Sequence, residues 1–149
     1  MISQLTNDKI LLVQHTNNPV LFRYFNAGVA AGFPSPAADY LEEEIDFNDY
    51  LRPRPSSTFV IRVKGDSMIG ANIPDNALLI VDRSIKPLSN MIVIAVINSE
   101  FTVKRFIKNS SGIRLMPENP KYQPIPITEG MDFSIWGTVT KVIIDTLKS

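Results

Sequence analysis

From Ser57 onward, apolar and polar residues either alternate or run together in short bursts separated by Gly, Pro, Asn and Asp, a pattern of β-strands joined by tight turns. Phe59, Ile61 and Val63 alternate with Val60, Arg62 and Lys64, and residues 101–106 alternate again. Residues 78–81 and 91–97 are continuous apolar runs rich in β-branched side chains, and 113–116 and 133–144 complete the set, with Gly137 a predicted bulge or bend in the last. The pattern predicts a mainly β domain over 57–149, folded as a partly closed antiparallel β-barrel.

The first part of the chain reads differently. Residues 1–31 form a predicted arm in which two apolar runs, 10–13 and 20–25, are split by the turn-prone Asn17-Asn18-Pro19. Gly32-Phe33-Pro34-Ser35-Pro36 interrupts the chain, because each proline fixes its own dihedral and pushes its predecessor into extended backbone. Residues 37–48 predict a short helix that Pro53 and Pro55 terminate, so that 32–56 as a whole reads as a linker region.

Composition narrows the functions available. With 149 residues, 44% of them hydrophobic and 20% charged, the chain has the make-up of one soluble globular domain plus a short appendage. Fifteen basic residues balance fifteen acidic ones, so no net field draws the protein to nucleic acid or to an anionic membrane, and direct sequence-specific DNA binding is not expected. The absence of cysteine excludes disulfides, thiolate catalysis and sulfur-based zinc sites; neither metal nor cofactor is expected. The apolar run at 10–13 is too short for a signal peptide or a membrane span. Val29-Ala30-Ala31 has the small residues of an export cleavage site but no hydrophobic stretch before it, so a cytoplasmic address is expected.

Candidate chemistry centres on hydroxyl and amine groups. The single histidine, His15, lies far along the chain from every Gly-Ser context and reads as an exposed arm residue. Ser67 follows a strand directly, in Gly65-Asp66-Ser67-Met68, where a glycine permits a sharp turn that exposes a hydroxyl beside free amide N–H groups. Taken alone, such a serine is ordinarily a turn or capping residue. Lys104 shares one face of its predicted strand with Thr102 and Phe106, while Arg105 shares the other with Phe101 and Val103. Both faces are partly apolar, and the alternation does not choose between the two cations.

The segments Gly65-Asp66-Ser67-Met68, Ile80-Val81-Asp82, Ile92-Val93-Ile94-Ala95, Glu100-Phe101-Thr102-Val103-Lys104-Arg105 and Met116-Pro117-Glu118-Asn119 resemble, in order and spacing, the LexA/UmuD family of self-cleaving serine proteases. Upstream, Ala31-Gly32-Phe33-Pro34-Ser35-Pro36-Ala37 resembles the cleavage region of UmuD in particular, so the resemblance runs over roughly residues 31–145. It implies that Ser67 is the nucleophile, Lys104 its general base, and the bond between Ala31 and Gly32 the one cut. The chemistry suits these residue types: a hydroxyl attacks only once a base removes its proton, and a lysine amine serves as that base when burial lowers its pKa from about 10.4.

The resemblance further implies a homodimer of the SOS response, stimulated by RecA filaments to remove residues 1–31 and then joined to a UmuC-type subunit of an error-prone translesion DNA polymerase. A LexA-like self-cleaving repressor is the alternative, set against by an arm too short for a DNA-reading domain. An inactive dimer module and a membrane-bound signal peptidase fit less well, since Ser67 and Lys104 are both retained and no anchor is seen. Two turns depart from the family pattern: Pro74-Asp75-Asn76-Ala77 stands where Asp-Gly-Asp is usual, and Asn90-Met91 where Gly-Asp is usual. Asn takes the left-handed conformation of a missing Gly, though less easily than glycine, and both changes are expected to bear on loop geometry or partner contacts and to leave the Ser/Lys pair untouched.

Overall fold

The computed structural model describes residues 18–25, 28–34 and 42–147, and the apolar run at 10–13 and His15 lie outside them. The described residues divide into two compact units, one ending at Pro55 and the other beginning at Ser56.

In the first unit, β1 (Leu21–Phe25) pairs antiparallel with β2 (Glu42–Asp46), and a single helical turn, α1 (Phe47–Leu51), follows at once. The short helix expected over 37–48 is therefore corrected. Its first five residues are undescribed, Glu42–Asp46 is a strand, and the helix begins only at Phe47. Two effects override the helical pattern. Pairing with β1 sets Ile45 opposite Phe22, a favourable cross-strand contact. Asp46 then acts as N-cap, its Oδ1 accepting from Asn48 N and Val20 N at 2.9 Å each, which fixes where the helix starts. Phe22 and Phe47 pack edge to face, with centroids 4.6 Å apart.

The second unit is a seven-stranded, wholly antiparallel sheet of order β3-β4-β9-β5-β6-β7-β8. Its strands are β3 (Thr58–Arg62), β4 (Leu78–Asp82), β5 (Ile92–Ile97), β6 (Glu100–Asn109), β7 (Gly112–Met116), β8 (Ile125–Pro126) and β9 (Phe133–Ile143). The mainly β, antiparallel expectation holds, and the sheet keeps two edges, β3 and β8, rather than closing fully. The predicted irregularity at Gly137 is present: Ile94 pairs with Gly137 but Ala95 with Ile135, so Trp136 is the extra residue.

β5 reads as an unbroken apolar run because it is buried on both faces. Ile94 joins a core with Ile61, Val63, Met68, Ile73, Leu79 and Val81. Val93 and Ala95 join a second with Phe106 and Leu115. A buried carboxylate, Asp82, ties the end of β4 to its surroundings, its Oδ1 accepting from Ser57 Oγ, Ser84 N and Ser84 Oγ at 2.7–2.9 Å. Among the described residues no helix is long and apolar enough to cross a membrane, and no cluster of acidic or histidine side chains is arranged to hold a metal.

Candidate active site

β3 delivers the chain to the site and the turn after it does the rest. Gly65 has φ +98°, a left-handed conformation that glycine adopts without steric cost, and its N–H donates to Asp75 Oδ1 at 2.8 Å. The loop is then nailed into the core by Met68 and Ile73, 1% and 0% exposed. Ser67 is held between these two fixed points, half-buried on the wall of a cleft of about 310 Å³. The turn at Asp75 and Asn76, one of the two departures from the family pattern, thus braces the loop that carries Ser67 directly. Asn76 (φ 73°) and Asn90 (φ 79°) both occupy the left-handed region that glycine would have filled.

β6 supplies the amine. Its register sets Thr102 opposite Ala95 and Lys104 opposite Val93, and both partners are completely buried. Lys104 is itself only 8% exposed, and burial lowers its pKa from the ordinary value of 10.5, because a low-dielectric setting disfavours the ammonium form. Lys104 Nζ lies 2.9 Å from Ser67 Oγ, 2.9 Å from Thr102 Oγ1 and 3.0 Å from the Val103 carbonyl. A neutral amine has two N–H groups and one lone pair. With Thr102 Oγ1 and the Val103 carbonyl accepting the two hydrogens, the lone pair is left to face the serine hydroxyl. Thr102 was legible as a neighbour of Lys104 on the same strand face, but its hydrogen bond is visible only in three dimensions.

Of the two cations that alternation left open, Lys104 is the one in contact with Ser67. Arg105 faces away from Ser67: Nε bonds Glu118 Oε1 at 2.5 Å and Nη1 bonds the Asn90 carbonyl at 2.6 Å. Ala31 and Gly32 are exposed and belong to the first unit. Sequence reading missed the contribution of residues 118–122. Glu118 N donates to the Ser67 carbonyl at 2.8 Å, Asn119 Nδ2 to the Asp66 carbonyl at 2.9 Å and Tyr122 Oη to Asp66 Oδ1 at 2.5 Å. Periodicity carries no trace of contacts between residues more than fifty positions apart. The only pointer was that Met116-Pro117-Glu118-Asn119 stood among the family-like blocks.

Lys104, a buried amine, and Ser67, in the turn that follows β3, thus lie in hydrogen-bond contact on the wall of one cleft. Residues 19–140 match the Peptidase S24-like family, and the chain belongs to that family. It is 42% identical to protein SamA of Salmonella typhimurium, over 92% of this chain and 96% of that protein. It is 41% identical to protein MucA of Escherichia coli, over 78% of this chain and 80% of MucA, and 39% identical to the LexA repressor of Clostridioides difficile, over 95% of this chain and 66% of the repressor. These matches bear out the resemblance to self-cleaving serine peptidases and favour the UmuD-like, SOS-mutagenesis reading over the repressor one: SamA aligns along nearly its whole length, the repressor along two thirds.

Proposed function

We propose that the chain is a UmuD-like serine endopeptidase that cuts itself between Ala31 and Gly32, with Ser67 as nucleophile and Lys104 as general base. The observation that carries this reading is the 2.9 Å contact between Lys104 Nζ and Ser67 Oγ around an amine that burial biases toward its neutral form. In the reaction, neutral Lys104 takes the Ser67 hydroxyl proton while Oγ attacks the Ala31 carbonyl carbon, forming a tetrahedral oxyanion. The N–H of Ser67, which has no acceptor among the described residues, is available to stabilise that oxyanion. Collapse breaks the bond to Gly32, whose nitrogen takes the proton back from Lys104. Water, deprotonated in turn by Lys104, hydrolyses the ester on Ser67 and releases residues 1–31. Tethering the substrate to the enzyme replaces a bimolecular encounter, so a two-residue apparatus suffices once the carbonyl is brought to about 3 Å from the hydroxyl.

In this account the protein is cytoplasmic, cutting is stimulated by RecA filaments on single-stranded DNA, and the trimmed product, residues 32–149, is a homodimer that joins a UmuC-type translesion polymerase subunit. The domain plan is a cleavable arm (1–31), a cleavage-site region (32–56) and a β-rich Ser/Lys protease domain (57–149). The test is to incubate the purified chain with active RecA filaments, and separately at alkaline pH without them, and to weigh the products. Ser67→Ala and Lys104→Ala are each expected to abolish cutting while leaving the chain folded. A Ser67→Ala chain that still releases a fragment beginning at Gly32 would refute the assignment.

A further inference from the structure

Residues 117–122 take no part in the proton transfers just described, yet they make more polar contacts with the nucleophile loop than any chemistry on their own side chains requires. Asn119 is oriented unambiguously. Its Oδ1 accepts from Lys121 N at 3.1 Å, so its carboxamide presents Nδ2, and only Nδ2, to the Asp66 carbonyl at 2.9 Å. The neighbouring Glu118 N–H takes the Ser67 carbonyl at 2.8 Å, and the Glu118 carbonyl accepts from Gly70 N at 2.8 Å. The contact at Gly70 is so close that a Cβ there would meet the Glu118 carbonyl oxygen at 2.6 Å. On the far side Glu118 is anchored by Arg105.

The two carbonyls held in this way belong to the two peptide planes that flank the Ser67 Cα. Fixing both planes fixes φ and ψ of Ser67, and with them the direction in which Oγ leaves the backbone. A trans peptide also points its N–H opposite to its C=O. Holding the Asp66 carbonyl toward Asn119 therefore turns the Ser67 N–H away from Asn119; neither Glu118 nor Asn119 lines the cleft, whereas Ser67 and Tyr122 do. Tyr122 adds a third tie, its hydroxyl on Asp66 Oδ1. The hydrogen bond to Asp66, followed by the charge of that carboxylate, raises the tyrosine pKa above its ordinary value.

We propose that residues 117–122 are a positioning strap for the nucleophile, with Asn119 the positioning residue that sets both the aim of Ser67 Oγ and the outward orientation of the Ser67 N–H. The inference rests on Ser67 being the nucleophile. Asn119 touches neither Lys104 nor the reacting atoms, so its loss lowers the rate without altering the ionisation of the base.

The test uses the full chain and its self-cleavage rate as a function of pH, at a temperature where circular dichroism shows each variant folded. Asn119→Ala and Asn119→Asp, the latter nearly the same shape but without the N–H donor, are expected to slow the plateau rate on the order of tenfold to a hundredfold, with the midpoint of the pH profile unmoved in Asn119→Ala, which adds no charge. Asn119→Gln, which keeps the carboxamide, is expected to recover part of what Asn119→Ala loses. A residue that merely stabilised the fold would leave the rate of folded chains unchanged. Wild-type rates in folded Asn119→Ala and Asn119→Asp, alongside an inert Ser67→Ala, overturn the strap alone; so does a slowed rate with a displaced midpoint in Asn119→Ala, which would put the effect on Lys104. Cutting that survives Ser67→Ala overturns the nucleophile assignment and the strap with it.

Discussion

Lys104 is the residue on which stability and chemistry pull in opposite directions. Its burial disfavours the ammonium form in the folded chain, whereas the unfolded chain holds its proton up to the ordinary lysine range. Between the lowered folded pKa and 10.5 the unfolded state binds more protons, so this residue makes stability rise with pH across that window. Replacing it with methionine is expected to remove that rise, which denaturant melts of the two chains at matched pH values would reveal as a gap that narrows on approaching pH 10.5. The same lowering predicts a cleavage rate that climbs with pH and levels off once the amine is neutral; a flat profile from about pH 6 to 10 would count against the base role. Arg105, one position along, does something different. Its bonds to Glu118 and the Asn90 carbonyl are about a third exposed, and Arg105→Ala is expected to cost about 1 kcal/mol of stability. Cutting should stay within roughly tenfold of the unaltered chain, measured as fragment yield against time.

Among the elements, strands were the most legible because their side chains obey a period of two wherever one face is buried. β3 and β6 were plain for this reason, and β4 and β5 were found as apolar runs because both of their faces are covered. β8, two residues long with a proline, carries no such pattern. Glu42–Asp46 was misread because three consecutive glutamates look like a solvated helical face, and the partner that makes them a strand, β1, lies across an intervening segment. The turn asparagines show the reverse: at Asn76 the glycine missing from the family pattern pointed to left-handed backbone, which Asn76 and Asn90 both adopt. Asn90→Ala is expected to destabilise the domain by about 1 kcal/mol and Asn90→Gly to be tolerated, since a Cβ without a compensating polar group is strained there. Equal melting temperatures for the two variants would contradict that reading.

At the scale of the whole molecule, an open antiparallel sheet brings together groups that the chain keeps far apart. The hydrogen bond between Lys104 and Ser67 spans 37 residues, and neither hydroxyl nor amine announces itself by local pattern. Their pairing was anticipated only through the resemblance of several blocks taken together, whereas the burial that conditions the amine and the strap that aims the serine are properties of packing. Self-cleavage by Ser67 is tested by the masses of the products when the intact chain and Ser67→Ala are held side by side with active RecA filaments and at alkaline pH. It predicts a fragment beginning at Gly32 and its complement ending at Ala31 from the intact chain, and neither from Ser67→Ala. A cut at any other bond, or the same cut in the absence of the Ser67 hydroxyl, would contradict it.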